Sequence, residues 1–189
     1  AMMEFCSTLD IRLIIDAAHP FASLLHTTVA AVSEQLDLPV IRLERRYPPR
    51  DESLVWCDTF DDAIDYLESH ELRDLLALSG VQTITKLQRY WKKHPCHFRV
   101  LDRDDSREIA RRAGFPEKNL LFWHEGQDEL ALFRQLHPGA ILTKESGESG
   151  YYEEKISAAR QLGIPVIVIR RPPLPDSFYT VNGEHGLRY

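Results

Sequence analysis

An α/β fold with parallel sheets is predicted by two features of the sequence. Short β-branched or aliphatic runs alternate along the chain with longer segments that carry apolar residues at helical spacing. The strand-like runs are also apolar almost throughout, not on alternate residues. Strands of that kind need cover on both faces, which crossover helices between parallel strands supply.

Taken in order, the opening "MMEFCSTLD" reads as the last turns of a helix leading into a strand, as though the chain starts in the middle of a larger domain. "IRLIIDA" is a buried strand. "FASLLHTTVAAVSEQL" is a helix with Leu24, Leu25, Thr28, Val32 and Leu36 along one face, and "PVIRLE" is the next strand. The two prolines and mixed charge of "RRYPPRDE" predict an ordered loop, followed by a short strand "LVWCD" and a helix "FDDAIDYLESH". After His70 the alternation restarts. Strands are expected at "DLLALSG", "CHFRVL", "NLLFW", "AILTK" and "PVIVIRR", with helices at "TITKLQRYWKK", "SREIARRAG", "DELALFRQL" and "YYEEKISAARQLG". This places a domain boundary near residue 70, giving an incomplete N-terminal domain over residues 1–70 and a C-terminal domain with a complete five-strand sheet over 71–189. The C-terminal "SFYTVNGEHGLRY" stops where a last helix is expected to start.

Composition narrows the function classes. A chain of 189 residues is long enough to bury a sizeable core. Its formal net charge of -6 leaves no overall positive field for nucleic acid or an anionic membrane, so any anionic ligand must be held by a local cluster. No apolar run approaches the roughly 20 residues that span a bilayer, and no secretory leader is visible. Cys6, Cys57 and Cys96 show no paired spacing, which suits a reducing cytoplasm. "HPCH" at 94–97 is the one His/Cys cluster; no second cluster completes a metal shell, so it is read as structural and no metal is expected. No nucleophile elbow, Ser/His/Asp order or complete dinucleotide glycine fingerprint is present, and nothing supports a hydrolase.

In open parallel sheets ligands sit beyond the carboxyl ends of the strands, and this rule selects the residues to inspect. "DAAHPF" puts Asp16, His19 and Pro20 at one strand end, where His19 is suited to touch a ligand or move a proton; an aspartate cap and a histidine satisfied by backbone fit equally. "RLERRYPPR" supplies Arg42, Arg45, Arg46 and Arg50, whose guanidinium forks suit carboxylates and phosphates or simply a solvated surface. "IRRPPLP" ends the last strand in the same way with Arg170 and Arg171. In "ILTKESGESGYYEEK", the glycines allow close approach of backbone to a ligand, free amides at the helix start favour a negative group, Lys144 adds a charge, and Ser146 and Ser149 donate or cap. A plain turn with a serine cap has the same sequence.

Together, "LIIDAAHPFA", "PVIRLERR", "LLALSG" and "ILTKESGESGYYEEKISAARQLGIPVIVIRRPPLP" resemble, in order over roughly residues 11–175, the precorrin-6A reductases of corrin (vitamin B12) biosynthesis. The resemblance implies two Rossmann-like three-layer lobes with parallel sheets and a cleft between them. It also implies NADPH-dependent reduction of one double bond of the precorrin-6A macrocycle, or of its cobalt form, to the 6B product. Carried onto this chain, it implies His19 and Asp16 as catalytic residues; Pro20, Phe21, Arg42, Glu44, Arg45, Ser79 and Gly80 at the cofactor; and Thr143, Lys144, Ser146, Gly147, Gly150, Arg170 and Arg171 at the tetrapyrrole. Glu154, Lys155 and Pro172 match the pattern as well. The family begins with a strand and a Gly-Gly-Thr-x-Glu loop not found here, so a shortened protein with an incomplete first lobe is expected. The rival readings are a non-catalytic module that holds an anionic tetrapyrrole or nucleotide, and an unrelated doubly wound domain.

Overall fold

Local chemistry sets the element boundaries in the computed structural model, which describes residues 1–147 and 151–182. Helices are α1 (Met2–Thr8), α2 (Ser23–Leu36), α3 (Phe60–Ser69), α4 (Gln88–Trp91), α5 (Asp104–Ala113), α6 (Glu129–Leu136) and α7 (Tyr152–Gln161). Strands are β1 (Ile14–Asp16), β2 (Val40–Glu44), β3 (Val55–Cys57), β4 (Leu75–Ala77), β5 (Cys96–Leu101), β6 (Leu120–Trp123), β7 (Ala140–Lys144), β8 (Val166–Ile169) and β9 (Tyr179–Asn182). Thr59 starts α3 with a capping box, its hydroxyl accepting from the Asp62 N–H while the Asp62 carboxylate accepts from the Thr59 N–H. Asp128 caps α6 by accepting from the Ala131 N–H. Asp104 and Asp105 at the start of α5 and Arg111 and Arg112 at its end match the helix dipole, and Gly114 closes it in the left-handed conformation.

The strands form two parallel sheets, ordered β1-β2-β9 and β3-β8-β7-β4-β5-β6. An α/β fold with parallel sheets is therefore what the chain adopts. In the larger sheet the chain runs outward from β4 through β5 to β6, then returns to the other side of β4 as β7 and continues to β8. The order reverses between β4 and β7, which is where ligands bind in open α/β sheets. On one face of this sheet Leu76, Leu78, Ile141, Val166 and Val168 pack with Phe133 of α6 and Tyr152, Ile156 and Ala159 of α7. Ile64 and Leu67 of α3, with Ile84 and Leu87, are fully buried as well. The smaller sheet has a lesser core built on Val29, Val40 and Phe178.

Among the described residues, 1–48, 146–147 and 171–182 form one compact unit, and 49–145 with 151–170 form the other. This division differs from a boundary near residue 70. β3 pairs with β8 and α3 packs on both, so residues 49–70 belong with the larger sheet, which has six strands, not five. The C-terminal stretch expected to begin a helix instead supplies β9, whose Tyr179 and Asn182 lie opposite Ile41 and Glu44 of β2. A count of strands in chain order misses both facts, because pairing is non-local. The helix expected over "TITKLQRYWKK" is a 3-10 turn (Val81–Thr83) followed by the short α4; the Trp91 indole N–H donates to the Ile84 carbonyl at 2.7 Å where the irregular backbone leaves it available.

Candidate active site

On β2, Val40, Arg42 and Glu44 are buried and the residues between them are half-buried, so the period of two turns a guanidinium and a carboxylate inward. Arg42 is 0 % exposed. Its Nη1 donates to Asp16 Oδ1 at 3.1 Å and to the Ala18 carbonyl at 2.8 Å, and its Nη2 lies 3.4 Å from both Glu44 oxygens. Asp16, the last residue of β1, accepts the Ala18 N–H at 2.9 Å and faces His26 Nδ1 at 2.6 Å. Burial alone would raise the Asp16 carboxyl; the Ala18, His26 and Arg42 donors outweigh it and hold the group below its ordinary value. His26 Nε2 in turn lies 3.2 Å from the His19 carbonyl.

The network continues to Tyr47. Glu44 Oε1 accepts from the Arg45 N–H at 2.8 Å and the Tyr47 hydroxyl at 2.9 Å. Burial and the adjacent Glu44 push the Tyr47 hydroxyl well above its ordinary range, so it remains a donor. The Arg171 guanidinium stacks over the Tyr47 ring, 3.7 Å from its centroid. Arg45 donates to the Ser146 carbonyl at 2.9 Å. Gly147 has φ +70°, and a Cβ there would lie 2.7 Å from the Arg46 carbonyl oxygen and 3.2 Å from the Tyr47 ring, so this approach requires glycine. Of the turn after β1, Pro20 is buried, Phe21 half-buried and His19 exposed, with His19 Nδ1 accepting the Phe21 N–H at 3.2 Å.

A second group lies in the larger sheet, where β4 and β7 part. Ser79 is buried and bonds Thr83 Oγ1 at 2.6 Å, which itself donates to the Gly80 carbonyl at 2.7 Å. Gly80 has φ +86° with open space where a Cβ would point. Beside it on β7, Thr143 is 1 % exposed, and its Oγ1 has no hydrogen-bond partner among the described residues. Burial, with Lys86 nearby, lowers the Lys144 ammonium to about 8. The residues expected separately at cofactor and tetrapyrrole thus sit close in the sheet order, Ser79 and Gly80 just beyond the end of β4 and Thr143 and Lys144 at the end of the adjacent β7. Arg170 pairs with Asp58 at 2.9 Å in this unit, whereas its neighbour Arg171 belongs to the other. Gly150 lies outside the described residues.

The expected site residues therefore fall into two groups, Asp16, His19, Pro20, Phe21, Arg42, Glu44, Arg45, Ser146, Gly147 and Arg171 in one unit, and Ser79, Gly80, Thr143, Lys144 and Arg170 in the other. Sequence reasoning missed His26, Tyr47, and Arg99 and Glu129, two members of a buried trio on β5, α6 and α7 whose third, Lys155, the family pattern matches. Arg99 and Glu129 form a two-pronged pair at 2.6 and 2.7 Å, and burial with Arg99 nearby lowers Lys155 to about 8. The available signal was a charge inside an apolar strand, the arginine of "CHFRVL". At "HPCH", Cys96 is buried in the core, which pushes its thiol well above the ordinary range, and the His94 ring packs on Tyr90 at 4.9 Å.

The family model described as precorrin-6x reductase CbiJ/CobK matches residues 1–185. The chain belongs to the precorrin-6x reductase family. It is 31 % identical over 176 residues to the cobalt-precorrin-6A reductase of Methanothermobacter thermautotrophicus, covering 90 % of this chain and 58 % of that protein. With the precorrin-6A reductase of Rhodococcus erythropolis it is 33 % identical over 182 residues, 92 % of this chain and 68 % of the relative. The chain thus spans between about half and two thirds of the length of these relatives. Among solved structures, a CobK precorrin-6A reductase superposes with a TM-score of 0.79 at 21 % identity, covering 98 % of this chain and 74 % of that one, a likeness of fold. The match to the precorrin-6x reductase family takes in both compact units and every residue of the two groups above.

Proposed function

We propose that the chain is the part of a precorrin-6A reductase that holds an anion-edged tetrapyrrole and NADPH for reduction of one macrocycle double bond, on the metal-free or cobalt-containing substrate, to the 6B product. The observation that carries this reading is the set of hydroxyl, amide and cationic donors where the order of the larger sheet reverses, within a chain of this family. An acidic protein has no long-range field for a polycarboxylate or a dinucleotide, so local donors must supply the attraction. Thr143 Oγ1, the open backbone at Gly80 and the Lys144 ammonium fit such an oxyanion. NADPH, when bound, supplies the hydride.

The chain's own residues hold and orient. His19, exposed on the turn after β1 with the Phe21 ring 5.9 Å from its own, is assigned the proton passed to the carbon next to the reduced one. Asp16 and Arg42 bond one another and the Ala18 backbone, so their assigned part is to hold the turn after β1. Three buried thiols suit a reducing cytoplasm, and among the described residues no helix is long and apolar enough to cross a membrane.

NADPH fluorescence titration, followed by turnover of the macrocycle, tests the reading. Lys144→Ala is expected to weaken capture of at least one ligand about tenfold, or ~1.4 kcal/mol, with the fold retained. Unchanged affinity for both cofactor and tetrapyrrole removes Lys144 from the site. Tight binding of the tetrapyrrole with no reduction favours the non-catalytic module.

A further inference from the structure

We infer that Trp123 and Tyr151 form an aromatic platform on which the conjugated, carboxylate-edged macrocycle stacks, an inference that rests on the reading of the chain as a tetrapyrrole reductase. Trp123 is the last residue of β6, and Tyr151 immediately precedes α7, the helix that follows β7. Both belong to the larger unit. Their ring centroids lie 5.7 Å apart with the planes tilted by 44°, Trp123 half-buried and Tyr151 45 % exposed. The other two indoles are tied into the fold: those of Trp56 and Trp91 donate to the Asp51 and Ile84 carbonyls at 2.8 and 2.7 Å, a bond that Trp123 does not make among the described residues. Tyr151 stands at φ +52°, a left-handed conformation whose other non-glycine occupants among the described residues are Asp10, Asp37, Glu71, Asp74 and His137. A bulky aromatic is a steric outlier there, and strain of this kind gathers at ligand sites.

The charge beside the rings selects the occupant. Tyr151 stands one helical turn before Lys155. Trp123 lies two residues beyond Leu121, the register partner of Arg99, and so shares the face of the sheet on which Arg99 lies. Glu129 holds Arg99 with both of its oxygens. The charges that bear on the Lys155 ammonium are Arg99 and Lys144 of its own sign and Glu129 and Glu154 of the other, so cations outnumber carboxylates. A flat π surface beside excess positive charge matches a macrocycle that carries carboxylates on the edge of the ring system itself. The nicotinamide and adenine rings carry none; the negative charge of a dinucleotide is on its phosphates.

Uroporphyrin, a conjugated macrocycle edged with carboxylates, serves as the probe, with Kd read from its visible absorbance. Tyr151→Gly removes a ring and suits the left-handed backbone, so its urea midpoint is expected to hold while porphyrin binding weakens about tenfold, as loss of one stacking surface costs. Trp123→Ala is expected to weaken binding likewise, whereas Trp123→Phe and Tyr151→Phe keep a ring and bind as wild type does. NADPH affinity is expected to stay the same throughout. The inference is overturned if wild type does not take up the porphyrin, if the ring-removing variants bind it unchanged, if Tyr151→Gly loses its urea midpoint along with binding, or if NADPH affinity falls in place of porphyrin affinity. Porphyrin binding that needs the rings, in a protein that neither binds NADPH nor turns over, keeps the platform and removes the reductase; ring-independent binding in an active reductase does the reverse.

Discussion

At the residue scale, the buried charges in the smaller unit are mutually dependent. Arg42 has no water to fall back on, and its Nε already lacks a partner among the described residues. Asp16→Ala therefore leaves a buried guanidinium short of its counter-charge, and a loss of about 3–5 kcal/mol is expected in urea unfolding. The same carboxylate has a pH signature. Because its folded pKa is held below the ordinary value of 3.8, its contribution is fully present above that value and is lost as pH falls through the lowered one. Asp16→Asn should remove that part of the acid dependence; an unchanged acid limb would show that the carboxylate is not ionised in the fold.

Lys155 gives the same direction of dependence in an alkaline window. Its ammonium is lowered to about 8 from 10.5, so above about pH 8 the unfolded chain binds more protons than the folded one, and stability rises with pH up to the unfolded value. Lys155→Met lacks that rise. Its urea midpoint relative to wild type is expected to drop between pH 7 and pH 10, and a constant difference would sink the assignment. Sequence reading found Asp16 and Arg42 because polar residues stood near the ends of apolar strands, and Glu44 came with the family resemblance. It could not find that they bind one another, since 26 positions separate Arg42 from Asp16. Nor did it single out His26, because a lone histidine within an apolar helical stripe looks like core.

At the scale of elements, α2 shows how a correct helix can be turned the wrong way. Leucine spacing predicts Leu24 and Leu25 inside, yet Leu24 is 82 % exposed and the buried positions are His26, Val29, Val32 and Ser33. Polar bonds decide between the two stripes. His26 reaches Asp16, and the Ser33 hydroxyl donates to the Leu38 carbonyl at 2.6 Å, so the stripe with fewer leucines is the one whose polar atoms are satisfied inside. The alternation of strands and helices was enough for β2 and β7, each five residues long; it failed for β9, where "YTVN" is mostly exposed and only Val181 turns in. The glycine after β7 offers an element-scale test. Gly147→Ala must accept a left-handed backbone and a Cβ 2.7 Å from the Arg46 carbonyl oxygen. A cost of at least about 1–2 kcal/mol is expected, with shifted backbone signals at residues 45–47. Wild-type stability would mean that the 146–147 segment does not rest on that loop.

At the scale of the whole molecule, the two compact units are unequal in the quantity that resists local opening. The six-stranded sheet is sandwiched, and Leu76, Ile141 and Ile167 at its centre have no exposure. Among the described residues only β2 of the three-stranded sheet has neighbours on both sides, β1 leaves Ile15 56 % exposed, and the buried apolar cluster is small. Buried charge pairs fill part of the space an apolar core would occupy there, and such pairs add little net stability against their desolvation. Opening free energies follow buried apolar contact, and ligand-binding segments are drawn from the low end of that range. Native-state hydrogen exchange should therefore rank the strands. Amides of β4, β7 and β8 are expected to exchange only through the largest openings, and those of β1, β2 and β9 through smaller ones, with a ligand that binds the turn after β1 slowing the second set more than the first. Identical opening free energies for both sets would mean that the chain unfolds as one cooperative body, and that the charge network of the smaller sheet is as strong a scaffold as the apolar layers of the larger.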